Sequence, residues 1–152
     1  MQNWRWRLGG LAAALWWGSL TALFVMVPLL FAHLPSRTVA GNTAAHLFSA
    51  QSWISAACAA LLLALARLGK TGPATAPARA DGLLLPAISG LLLALLVEYA
   101  VAPHIVARDR LALWHTVGSL MLLAQWGCAL AALWQLLGPA ARAGGLPKPP
   151  DQ

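Results

Sequence analysis

Glu98 stands in the run LLLALLVEYAVAP, an ionisable side chain surrounded by leucine, valine and alanine. Placing Asp, Lys or Arg at the centre of a membrane helix costs about 2.5 to 3.5 kcal/mol on insertion scales, and residues of this kind usually face a partner inside the bundle. Four histidines could supply one: His33, His46, His104 and His115. Imidazole titrates nearest neutral pH and is a common metal and haem ligand, so a carboxyl and an imidazole together suit proton traffic, and paired imidazoles suit a metal or haem b. Counting selects the pair. Glu98 lies nine residues before Ala107 and His115 eight residues after it. If the chain reverses there, the two share a depth to within a fraction of a helical turn. Glu98 and His115 are therefore the expected pair, acting as a proton relay or as a polar clamp between helices.

The helical period adds neighbours. His115, Ser119 and Leu122 recur at i, i+4 and i+7, with Gln125 three residues on, lining one stripe with three hydrogen-bonding side chains. Asn42, His46, Ser49 and Trp53 form a comparable stripe, and the two are expected to face each other. A metal or haem would draw on His46 and His115 before His33 and His104, which stand beside Pro35 and Pro103 at loop entries and read as interfacial. No cofactor is specified further by the sequence.

The elements that must hold these residues are membrane helices. Of 152 residues, 60% are hydrophobic and 9% charged, against roughly 45 to 50% and about 25% in soluble domains. A membrane helix needs about 20 predominantly apolar residues. Four segments qualify, at about 8–34, 39–68, 82–102 and 111–137. The expectation is an all-α, four-transmembrane-helix bundle of two antiparallel hairpins, one domain over 1–138, with a flexible tail over 139–152. The Pro/Gly/Ala segment around 69–81 reads as a mobile loop.

Charge orients the bundle. Arg5, Arg7, Arg67, Lys70, Arg79, Arg142 and Lys148 fall on one side and Arg37, Arg108 and Arg110 on the other, seven against three of the ten basic residues. This puts both termini in the cytoplasm. The Ala/Leu/Arg-rich composition suits a multi-pass protein of a bacterial inner membrane. A net charge of +6 is explained by that loop bias, and nucleic acid is excluded as a partner; the partners expected are the lipid bilayer and a homo-oligomer or membrane complex. The apolar run at the N-terminus exceeds the h-region of a cleaved signal peptide, about 7 to 15 residues. Cys58 and Cys128 sit deep in apolar helices and read as packing residues, not as a disulfide framework. Standard nucleophile, zinc-protease and phosphate-loop motifs are absent, which argues against an enzyme.

Trp4, Trp6, Trp114 and Trp134 fall where interfacial anchors belong, whereas Trp16, Trp17, Trp53 and Trp126 lie deeper and need packing partners. Gly9-Gly10, Gly18-Ser19, Ala56-Ala57, Ala59-Ala60 and Gly118-Ser119 permit close helix approach. Pro28 is expected to kink the first helix.

Five sequence blocks carry a family likeness: Leu15-Trp16-Trp17-Gly18, Val27-Pro28-Leu29-Leu30-Phe31 leading to Leu34-Pro35, Ala40-Gly41 with Leu47-Phe48, Val101-Ala102-Pro103, and Leu113-Trp114-His115-Thr116-Val117-Gly118-Ser119. In these the chain resembles the transmembrane protein 205-like family, a bacterial four-helix membrane domain of unknown function. It is distantly similar to copper-resistance D-type and haem-binding four-helix membrane proteins, in helix count and membrane-embedded histidine. The resemblance implies architecture and leaves activity open. Three readings follow: small-solute or proton-coupled transport around Glu98 and His115, a haem- or metal-binding redox protein using outer-face histidines, or a structural subunit of a membrane complex.

Overall fold

A computed structural model of the chain describes residues 3–69, 76–107 and 110–138. These form helices α1 (Asn3–His33), α2 (Arg37–Gly69) and α3 (Ala76–Leu96), a π-helical turn (Val97–Val101), α4 (Ala102–Val106) and α5 (Leu111–Leu137). No strand occurs among the described residues. Four stretches are long and apolar enough to cross a membrane: Trp4–His33, Arg37–Leu68, Asp81–Val106 and Leu111–Leu137. The centre of the 69–81 loop and the tail over 139–152 lie outside the described residues.

The third span runs beyond its expected end near Ala102. Pro103 has no N–H to donate, and its ring crowds the carbonyl four residues back, which would normally stop the helix. Instead the preceding turn widens. The Ala102 N–H bonds to the Val97 carbonyl, five residues back, closing a π-turn that lets α4 continue to Val106. Pro86 also sits inside α3, well past its first turn, and Pro28 inside α1. Ser36 supplies the sharp restart after Pro35: its Oγ accepts the Val39 N–H at 3.2 Å, capping α2.

The long helices form a ring in chain order. α1 packs on α2 and α5, and α3 packs on α2 and α5, which leaves α2 and α5 on one diagonal, α1 and α3 on the other. Small residues fill the inside. Ala12, Ala13, Ala59, Ala66, Ala87, Ala129 and Ala132 are buried, while Leu11, Leu15, Phe24, Leu85, Leu92, Leu120 and Leu123 are exposed. Lipid is as apolar as leucine, so nothing drives large aliphatic chains inward, and tight helix contact favours small ones.

Leu20, Leu62 and Leu83 are buried among them, and the largest side chain inside is aromatic. Trp16 is wholly buried, and its ring reaches across the diagonal to Gly90 of α3, so that a Cβ on Gly90 would collide with it. Near one end, a Cβ at Gly9 would lie 3.6 Å from the side chains of both Leu65 and Leu136. These three residues mark a common level from which depth can be counted.

Candidate functional site

Two polar clusters interrupt the apolar helices. The first lies at the middle of the bundle. From the level of Gly9, Leu65 and Leu136, ten residues lead to Ser19 and to Ser55, and eleven to Gln125, a rise of about 15 Å. Gln51 Nε2 donates to Ser19 Oγ at 3.0 Å and to Ser55 Oγ at 3.1 Å, joining α2 to α1. Ser19 Oγ in turn donates to the Trp16 carbonyl. On the other flank of α1, Trp126 Nε1 donates to Thr21 Oγ1 at 2.9 Å, and Thr21 Oγ1 to the Trp17 carbonyl. The Trp17 and Trp126 rings pack with centroids 5.8 Å apart. Gln51 and Ser55 are buried, so these bonds have no water to compete with them.

Gln125 belongs to the same layer but is not served by it. The residue is 1% exposed, and neither its amide oxygen nor its amide nitrogen has a hydrogen-bond partner; the indole N–H groups of Trp16 and Trp17 share that condition. A buried amide without a partner carries a desolvation cost of about 1 to 3 kcal/mol.

The second cluster is Glu98, inside the π-turn, with Ser49 of α2. Ser49 Oγ donates to Glu98 Oε1 at 2.7 Å, a length typical of a hydroxyl on a carboxylate. Ser49 lies six residues from Ser55 toward the other end of α2, so this pair sits about 9 Å from the central layer. It is half-buried. Glu98 lines a shallow groove between α2 and α3 with Ser52, Trp53, Ala56, Leu95 and Tyr99, and Trp53 and Tyr99 are among the more exposed aromatic residues.

The expected Glu98–His115 pair is not brought together. Glu98 faces α2, and His115 is exposed on α5. The two do not share a depth: Trp114 stacks on His104, and Gly118 closely approaches Val101, so His115 is level with about His104, six residues or about 9 Å from Glu98. The neighbouring Trp114 turns toward α4 and stacks on His104 with ring centroids 4.1 Å apart and parallel planes. Ser119 is exposed, one turn beyond His115. The two polar stripes do not face each other either, because α2 and α5 lie on a diagonal. His46 is exposed, and His33 Nδ1 donates to the Leu29 carbonyl of its own helix at 3.0 Å. Among the described residues no three or more His, Cys, Asp or Glu side chains gather as metal ligands. Cys58 is in the core, and Cys128 packs against it.

The central network went unnoticed in the sequence, although a signal was present. Gln51 and Ser55 are spaced i, i+4 and continue to Cys58-Ala59 and Leu62 on the face that proves to be buried. Gly90 carried no signal of its own, since its role depends on a ring from a helix across the bundle.

A family model described as a domain of unknown function (DUF4149) matches residues 11–112. That stretch includes most of α1, all of α2 and α3, the π-turn with Glu98, and α4. No curated protein and no solved structure matches the chain.

Proposed function

The chain belongs to the DUF4149 family, and from that premise we propose that it is an assembly subunit of a membrane complex, docking another membrane segment at the α2–α3 groove through Glu98. The observation that carries this reading is the placement of the carboxylate. Its two oxygens offer about four acceptor sites, and among the described residues Ser49 is the hydrogen-bond donor it meets. The half-buried group lies beside a groove flanked by Trp53 and Tyr99. In lipid, an ionisable group so placed calls for a donor from outside the chain. The axis of the bundle, by contrast, is filled by Trp16 against Gly90, which argues for lateral contact over passage between the helices.

Site-specific photo-crosslinking from Tyr99 in native membranes tests this. Adducts should form there and be absent from Leu120, which is equally exposed on α5. Equal labelling at both positions, or none at Tyr99, would remove the docking role.

Proton transfer at Glu98 is the second reading, supported by the short Ser49 bond inside a π-turn, a distortion frequent at functional sites. Reconstituted vesicles should then show proton or small-solute flux that Glu98→Gln abolishes, and flux no greater than in empty liposomes would end it.

The same proposal places the protein in a bacterial inner membrane, as antiparallel hairpins with cytoplasmic termini. Its supports are the seven-to-three distribution of basic residues and the common level of Gly9, Leu65 and Leu136. Reporter fusions at Ala76 and Gly145 should read cytoplasmic and one at Ala107 periplasmic; a periplasmic signal at Gly145 would require an odd number of spans.

A further inference from the structure

Arg5 stands on the inward face of α1. Counting from it, steps of 4, 7, 11, 15 and 18 residues reach Gly9, Ala12, Trp16, Leu20 and Leu23, all buried. At about 100° per residue these positions fall within one stripe roughly 80° wide. Arg7, by contrast, lies about 160° round the axis from Arg5 and is exposed. Gly9, one turn further in, is where α1 meets Leu65 of α2 and Leu136 of α5. Arg5 is therefore carried over the end of the seam at which these three helices converge, about 6 Å outside the level of Gly9.

One edge of its guanidinium is enclosed: Nη2 is buried and has no hydrogen-bond partner. The residue as a whole is half-buried, and helical side chains lean toward the N-terminus, which is here the end of the bundle. Arginine does not shed its proton in proteins, so the partly desolvated charge calls for an anion. Among the described residues the chain supplies none nearby. Glu98 lies beyond the central layer, toward the opposite end, and Asp81 is at the start of the third span, across the diagonal from α1.

Depth selects the anion. The apolar span begins at Trp4, so Arg5 belongs at headgroup level, a depth that also suits the exposed Trp4 beside it. Lipid phosphates occupy that level, and the planar fork of arginine matches two oxygens of a phosphate. Arg7, and Arg67 two residues beyond Leu65, add exposed positive charge at nearly the same level, which favours a headgroup of net negative charge over a zwitterionic one.

We propose that Arg5 anchors a binding site for the phosphate of an acidic phospholipid, seated at the end of the seam between α1, α2 and α5. Arg5 makes the specific contact, and Arg7 and Arg67 contribute long-range attraction alone. The site is separate from the Glu98 groove and does not depend on a docking role there.

The test uses the full chain in neutral detergent, with native mass spectrometry counting the phosphatidylglycerol retained by each chain. Wild type should hold one phosphatidylglycerol at least about tenfold more tightly than phosphatidylcholine of the same acyl chains. Arg5→Gln should weaken phosphatidylglycerol binding by at least about thirtyfold, and Arg5→Lys, which keeps the charge but loses the fork, should recover part of it. Arg7→Gln and Arg67→Gln remove the same charge at the same end and should each weaken binding by less than about fivefold. Equal losses from Arg5→Gln and Arg7→Gln would reduce the effect to general surface charge and overturn the site. Equal retention of the two lipids by wild type would overturn it as well, a comparison that stands even if a variant folds poorly. Inorganic phosphate at the same concentration should leave the phosphatidylglycerol in place; displacement would give the site to a free anion and remove the lipid.

Discussion

The central layer and the Glu98 groove are both polar interruptions of apolar helices, but they handle their polarity in opposite ways. Gln51, Ser19 and Ser55 close on one another within the bundle, between α1 and α2. Glu98 takes a single bond from Ser49 among the described residues and lies half-buried beside the α2–α3 groove. The first arrangement spends its hydrogen bonds on joining the chain's own helices. The second leaves acceptor capacity for something beyond them. Intramembrane polarity alone is therefore no guide to function; what matters is whether the donors and acceptors are used up inside the fold.

The largest effect should come from breaking the closed region. Gly90→Ala places a methyl group in the space occupied by the Trp16 ring, and overpacking of this kind costs about 1 to 3 kcal/mol. Thermal unfolding in detergent should show the loss, and Trp16→Phe in the same chain should recover part of it. An unchanged unfolding temperature in Gly90→Ala would mean that this contact does not close the bundle.

Next come two glutamines in one layer, for which the same substitution should act with opposite signs. Gln51→Leu removes one interhelical bond, to Ser19, and one within α2, to the buried Ser55; at about 0.6 kcal/mol for the interhelical bond in a membrane, the loss should exceed that figure, because Ser55 loses its donor as well. Gln125→Leu removes an amide that has no partner and keeps a similar volume, so it should be neutral or stabilising by up to about 1 kcal/mol. Equilibrium unfolding of both variants in one detergent is the check. Equal losses would show that Gln125 is bonded after all, and the layer would count as closed throughout.

Span number and approximate limits were legible in the sequence because lipid imposes length and apolarity on each helix directly. Facing was less so. The inward side of α5 carries Gly118, Leu122, Gln125, Ala129 and Ala132, whereas the outward side carries the leucines, an inversion of the soluble pattern that leaves little hydrophobic contrast to read. His115 shows the consequence: a symmetric hairpin about Ala107 would set it level with Glu98, but Trp114 stacks on His104, six residues beyond Glu98, and His115 is exposed. Glu98 was visible as a site because its cost is local. Its partner was not, because Ser49 lies on α2, a helix that the hairpin count never consulted.

The smallest effect on the fold should come from the groove, and that makes Ser49→Ala the sharpest test of the contrast. The substitution deletes the one hydrogen bond that Glu98 takes from its own chain among the described residues. With no second helix contact at stake, the bundle should lose only about 0.6 kcal/mol, the average for such bonds in membranes. Glu98→Gln should cost less still, since an amide oxygen can accept from Ser49 as the carboxylate does. Yet both changes act on the group beside the groove: Ser49→Ala frees its position and Glu98→Gln replaces its carboxyl group. Unfolding and photo-crosslinking from Tyr99 should therefore separate, with near wild-type unfolding and sharply reduced adduct formation. A loss of stability in Ser49→Ala as great as that from Gly90→Ala would place Glu98 among the supports of the fold, because only a group bound into the bundle on several sides can cost that much when one bond is removed.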